Sequence, residues 1–251
     1  MGSVKITEQS SRVPTGITGF DELIEGGFPR NSRILVCGGT GSGKTILCLQ
    51  YLFNGAAKYG EQGVYVSLEE PLHEVRRNAL RFGWDLAKLE KEGKITLIDA
   101  ITNRLDLLDP EKWSGRESIQ NIIGVVDDIA AAVETGSAKR LVIDSIPGIG
   151  LFTNPEIMRA ILVRINTFIR NLDCTTLMTT ETVEGSGALS RFGVEEFLAT
   201  GVVFLAVESK GNELKRKLVI RKMRGVKHSL KEFELLITEQ GIVVMPIQRI
   251  Q

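Results

Sequence analysis

The sequence predicts an α/β fold in which a mainly parallel central sheet, flanked by helices, is capped by C-terminal antiparallel hairpins. Three observations predict it. Short apolar runs of strand length alternate with segments of helical period as far as about residue 200. One of those runs, RILVCG from Arg33, feeds a glycine-rich turn that opens directly into a helical pattern. From Gly201 onward the helices stop, and strand patterns separated by turn signals follow alone.

Residues 1–12 are polar and are expected to be loosely held. In VPTGITGFDELIEGGFP, Thr18 and Asp21 have the spacing of a capping box, with Asp replacing Glu. Phe20, Leu23 and Ile24 make a short apolar face, and Gly26, Gly27 and Pro29 close the turn. A short helix is therefore expected before the glycine-rich segment.

That segment, GGTGSGKT, fits G-x-x-x-x-G-K-[ST], the P-loop pattern whose backbone N–H groups cradle phosphate oxygens. Gly38, Gly39, Gly41 and Gly43 let the backbone take positive φ and approach the anion without a Cβ in the way. Thr40 and Ser42 contribute their amides to the same loop. Lys44 has the reach to meet the β- and γ-phosphates, and the Thr45 hydroxyl suits Mg²⁺. The helix that follows carries Ile46, Leu47, Leu49, Leu52 and Phe53 as apolar positions and aims its N-terminal dipole at the same anion. An accidental glycine-rich turn is the alternative, and the strand before and helix after it argue against that.

After a turn at Gly60–Gly63, VYVSL reads as a strand running into Glu69, Glu70 and Pro71. Two carboxylates at the C-terminal end of such a strand lie where α/β sheets bind ligands, and either could prepare a water for phosphoryl transfer. They could equally be the acidic start of the helix expected over His73–Phe82. The residues alone leave both readings open. Ile95–Ile98 is a further strand, and Asp99–Gly115 a long polar connection containing Asp109, Pro110 and Trp113. Ser118 begins an amphipathic helix closed by Thr135 and Gly136.

RLVIDS, from Arg140, is an apolar strand that delivers Asp144, the Walker B arrangement for a Mg²⁺ site. Pro155–Leu172 is helical, with an apolar stripe of packing type. Thr175–Thr180 is a strand ending in Glu181. Thr179, Thr180 and Glu181 could sense a γ-phosphate there, or the threonines could simply favour a strand. VVFLAVE, KLVIRKM, EFELLI and IVVMP, with turns at SKGN and TEQG, complete the antiparallel extension.

Composition narrows the classes. The 251 residues, 43% hydrophobic and 25% charged, supply ample core for one globular domain, expected over 1–251. Lys plus Arg and Asp plus Glu number 31 each, so no overall field draws the chain to nucleic acid or membrane. Locally the balance fails: Lys210–Lys231 holds nine basic residues against Glu213 alone, a net +8 that invites an anion. Cys37, Cys48 and Cys174 lie in apolar patterns without metal spacing and read as reduced thiols. No apolar run approaches the roughly 18 residues of a membrane span, and a cytoplasmic location is expected.

The chain resembles the RecA superfamily and, within it, the KaiC-like ATPases, from about Val13 to Met245. The resemblance is carried by TGITGFDELIEGGFP, GGTGSGKT, YVSLEEP, FGWDLAKL, VIDS, MTTE, RFGVEEFLATGV and KMRGVKH. It implies a RecA-like P-loop fold, ATP and Mg²⁺ as ligands, and a ring of copies, most often hexameric. It also implies that Glu69 and Glu70 are the paired glutamates that activate water. Lys222 and Arg224 match a basic pair that reaches the nucleotide held by a neighbouring subunit, and their i, i+2 spacing places both on one strand face. His228 and Glu239 match positions lining that nucleotide. In RecA-like recombinases, basic elements contact DNA instead; the resemblance favours the ring interface, and DNA-dependent activity or a nucleotide-gated scaffold is the alternative. Departures sharpen the expectation. Glu195 and Glu196 stand where the second module of KaiC has phosphorylated hydroxyls, so the chain is closer to the ATP-hydrolysing first module. Neither the helix-hairpin-helix domain of Rad51-like recombinases nor the four-cysteine zinc element of bacterial RadA is present in it.

Overall fold

A computed structural model describes residues 12–100, 116–149, 155–182 and 189–247. The parallel strands are β3 (Arg33–Gly38), β4 (Gly63–Ser67), β5 (Ile95–Asp99), β6 (Arg140–Asp144), β7 (Thr175–Glu181) and β8 (Gly201–Lys210). Three antiparallel strands follow, β9 (Glu213–Met223), β10 (Glu232–Thr238) and β11 (Gly241–Pro246). They form one nine-stranded sheet in the order β11-β10-β9-β8-β3-β7-β6-β4-β5. A separate two-stranded ribbon pairs β1 (Arg12–Val13) with β2 (Phe28–Pro29). This is the mainly parallel sheet with C-terminal hairpins that the sequence predicts.

Period-two alternation distributes the core to both faces. Ile34, Val36, Tyr65, Val142, Leu177 and Val203 face α1 (Lys44–Lys58), α2 (Leu72–Leu80) and α3 (Leu86–Lys91). Leu35, Cys37, Val64, Val66, Leu141 and Ile143 face α4 (Arg116–Gly136) and α6 (Pro155–Asn171). Two short helices lie in the connections: α5 (Ile146–Ile149) follows β6, and α7 (Glu195–Leu198) packs against α6 and leads into β8. The polar connection over 101–115 lies outside the described residues, as do 1–11. All three cysteines are buried and unpaired. No helix among the described residues is long and apolar enough to cross a membrane.

Helix α1 is the hub. Gln50 exchanges two hydrogen bonds with the backbone of Ile242, accepting from its N–H at 2.6 Å and donating to its carbonyl at 3.2 Å, which ties β11 to α1. Asn54 donates to Thr15 O at 3.0 Å and holds the N-terminal segment. That segment in turn bridges the exposed edge of β11 at Thr18 and Val243. The approach is close enough that a Cβ on Gly19 would stand 1.9 Å from Val244 O, so only glycine fits.

One local expectation fails, and two stretches take a shape that the local reading left open. Thr18 and Asp21 form no capping box: the segment Asp21–Ile24 is a 3₁₀ turn without a side-chain cap. The Asp21 carboxylate instead accepts from Thr15 N, Thr15 Oγ1 and Gly16 N at 2.8–2.9 Å, so it folds the chain backward. Pro71 is the N-cap of α2, which leaves Glu69 and Glu70 outside the helix. The FGWDLAKL stretch contains α3, capped by Asp85 accepting from Lys88 N at 2.9 Å.

Candidate functional site

The C-terminal ends of β3, β4, β6 and β7 converge, because those strands are parallel neighbours in register. In such sheets the crevice beyond these ends is the ligand site. Behind β3, Gly41 and Gly43 take φ of +74° and +103°, and Gly43 is the N-cap of α1. Thr45 lies in the first turn of that helix. Lys44 Nζ folds back onto the loop, donating to Gly38 O at 2.9 Å and Gly39 O at 3.1 Å.

Asp144 ends β6 and is 9% exposed. Its two oxygens are separately anchored. Tyr65 Oη donates to Oδ2 at 2.8 Å, and Thr179 Oγ1 donates to Oδ1. One donor per oxygen fixes the plane of the carboxylate and leaves each oxygen with further acceptor capacity.

Glu69 and Glu70 follow β4. Glu70 accepts from Asn78 Nδ2 at 2.7 Å, and its backbone is clasped by Ser67 Oγ. Desolvation by the surrounding protein pushes both carboxyls above the ordinary carboxylate range. Glu181 and Asp144 add to the push on Glu69, Lys44 opposes it, and Asp144 and Glu74 add to that on Glu70. Glu69 therefore shares one crevice with Lys44, Asp144 and Glu181.

Hard oxygen donors, the Thr45 hydroxyl and the Asp144 carboxylate, suit Mg²⁺. Ser42 Oγ, in the loop itself, is buried without a hydrogen-bond partner, as a loop shaped around an anion would leave it. The residues present fit a magnesium nucleotide.

Other predicted residues are placed differently. Lys222 is half-buried and donates to Glu196 O at 3.0 Å and Ala199 O at 2.6 Å of its own chain. Burial and then the Arg224 guanidinium hold its ammonium below the ordinary lysine value, with Glu196 opposing. Arg224 is exposed just beyond β9, its N–H still pairing with Thr200 O at 2.9 Å. His228 is half-buried, with Nδ1 3.3 Å from Ser229 O, and Glu239 is exposed at the tip of the β10–β11 hairpin. Leu235, Ile237 and Ile242 of that hairpin lie 3.6–3.9 Å from where a Cβ on Gly43 would stand, so the hairpin flanks the loop.

The basic segment is less positive in place than in sequence. Lys217 pairs with Glu208 at 2.5 Å and Glu232 at 2.8 Å, and Lys215 with Glu234 at 3.3 Å, because β8 and β10 present acids opposite β9. Its cation nearest the loop was not singled out from sequence: Arg216 Nε donates to Gly41 O at 2.9 Å. Tyr65 and Asn78 escaped notice as well. Only a hydroxyl inside an apolar strand run hinted at the first, and nothing local marked the others.

A family profile described as "ATPase: KaiC" matches residues 13–249. A UPF0273 protein of Thermotoga maritima is 36% identical over 94% of the chain and 96% of its own length. The circadian clock oscillator protein KaiC of Synechococcus elongatus is also 36% identical over 94% of the chain, which spans 44% of that longer protein. Among solved structures, a KaiC-like protein of Pyrococcus horikoshii OT3 is 44% identical and superposes with a TM-score of 0.82, covering 94% of this chain and 99% of its own.

Proposed function

The chain belongs to the KaiC ATPase family, with the nucleotide-binding ATPase domain and RecA-like fold of that family, and from this premise we propose that it is a slow Mg²⁺-dependent ATPase. The observation that carries the reading is the convergence, at one end of the parallel sheet, of the P-loop after β3, Glu69 and Glu70 after β4, and Asp144 at the end of β6. Lys44 would exchange the carbonyls of Gly38 and Gly39 for phosphate oxygens, and the loop amides from Gly38 to Thr45 would hold the rest of the anion. Thr45 and Asp144 would hold Mg²⁺, which when bound neutralises charge on the phosphate oxygens. Glu69, with Glu70 steadied by Asn78, orients a water and takes its proton. Lys222 and Arg224 complete the site of a neighbouring copy in a ring, most simply a hexamer, while His228 and Glu239 line that nucleotide. The unit of this activity is a single cytoplasmic domain over 1–251 acting together with further copies of itself.

Steady-state ATP hydrolysis, measured at a concentration that permits assembly and with or without single-stranded DNA, tests the reading. Slow turnover indifferent to DNA is expected. Glu69→Gln together with Glu70→Gln should lower kcat by about 10²-fold or more, with ATP binding retained. Turnover unaltered by that pair would remove them from the chemistry. Clear stimulation by DNA would replace the ring ATPase with a DNA-coupled one; the neutralised Lys215 and Lys217 speak against it.

A further inference from the structure

Glu195, the first residue of α7, is a carboxylate at 2% exposure, and burying a charge needs a reason. Its oxygens accept from Thr180 Oγ1 at 3.0 Å, Val194 N at 3.1 Å and Phe192 N at 3.3 Å. Thr180 neighbours Thr179 on β7, and successive strand residues point to opposite faces. Thr179 therefore reaches Asp144 on the α1 face, while Thr180 reaches Glu195 on the α6 face. Glu195 opens α7, a helix of four residues that cannot hold its own position by length. The carbonyls that α7 presents at Glu196 and Ala199 are the two that hold Lys222 Nζ.

We propose that Glu195 is a positioning residue for Lys222: by fastening α7 to Thr180, it fixes the two carbonyls that aim the ammonium. The inference rests on the reading of Lys222 as a cation for a neighbouring copy's nucleotide. It extends that reading, because β7 then links the Asp144 of one site to the cation offered to the next. A merely structural Glu195 would support the fold without any specific tie to Lys222.

Acylation of lysines in the nucleotide-free full chain, followed by mass spectrometry, reads the anchor directly. With exposed Lys91 as internal reference, Glu195→Gln and Thr180→Val should each raise the relative reactivity of Lys222 by about tenfold, the scale of a lost charge-assisted hydrogen bond. Unchanged reactivity, or a rise shared by every lysine as in general unfolding, overturns the proposal. Turnover supplies the second readout. Glu195→Gln should lower kcat, and adding it to Lys222→Met should lower it no further, the non-additivity of residues acting as a unit. Multiplicative losses would overturn the link between them. Turnover indifferent to Lys222→Met, with Lys222 still released by Glu195→Gln, would overturn the neighbour's-cation reading and leave the anchor standing.

Discussion

The desolvated carboxyls at the end of β4 are the residues whose chemistry is most exposed to a simple test. A raised carboxyl must be ionised before it can take a proton from water, so activity should rise with pH through the raised value. The acidic limb of kcat/KM should lie above the ordinary glutamate value of about 4.3. A limb at the ordinary value would take Glu69 and Glu70 out of the base role. Linkage runs the other way for stability. A carboxyl with a raised folded pKa binds protons more tightly in the folded chain, so its stabilising contribution is complete below the unfolded pKa and is lost as pH rises through the folded one. Glu69→Gln should therefore be slower in turnover yet at least as stable near neutral pH, compared by thermal unfolding at two pH values. This is the signature of a group kept for function rather than for the fold.

At the scale of elements, the start of β6 is held by a buried cation. Arg140 is fully buried, its Nε donates to Glu61 Oε2 at 2.8 Å, and its Nη1 donates to Tyr51 O at 2.9 Å. The guanidinium lies 4.5 Å from the Tyr51 ring centroid and 5.2 Å from that of Tyr59. It thereby joins α1, the turn after it and the strand that delivers Asp144. Removing its counter-charge would leave a buried cation uncompensated. Glu61→Ala should cost about 3 kcal/mol, at the low end for such pairs because Glu61 is partly exposed. Gly55→Ala should also destabilise, since its Cβ would stand 2.3 Å from Arg140 Cδ. Denaturant midpoints measure both, and a loss below about 1 kcal/mol in Glu61→Ala would show that the aromatic rings alone suffice.

For the whole molecule, the proposed sharing of the site between copies makes two predictions. Specific activity should rise with protein concentration if copies complete one another's sites. Inactive Lys44→Ala chains, which still offer Lys222 and Arg224, should partly restore turnover when mixed with Lys222→Ala/Arg224→Ala chains, which still hold nucleotide. Mixtures as inactive as their parts would return all the chemistry to a single chain. The exposed side chain of Phe197, 74% accessible on α7 beside the Lys222 anchor, is apolar surface at the place such a contact would use.

What the sequence determined by itself was whatever depends on near neighbours along the chain. The strand that ends in Asp144 and the glycine turn that opens α1 are local, and both stand in the fold, although positive φ is taken at Gly41 and Gly43 and not, as expected, at Gly38 and Gly39 as well. Tertiary structure decided what depends on register between distant strands. Tyr65 and Thr179 meet at Asp144 because β4, β6 and β7 lie side by side, and Arg216 reaches Gly41 from 175 residues later in the chain. The acids opposite Lys215 and Lys217 come from adjoining strands, so a segment read as +8 is partly neutral in place. Thr18 and Asp21 failed as a cap for a local reason instead: the Asp21 carboxylate is taken by donors 5 and 6 residues before it, Gly16 and Thr15.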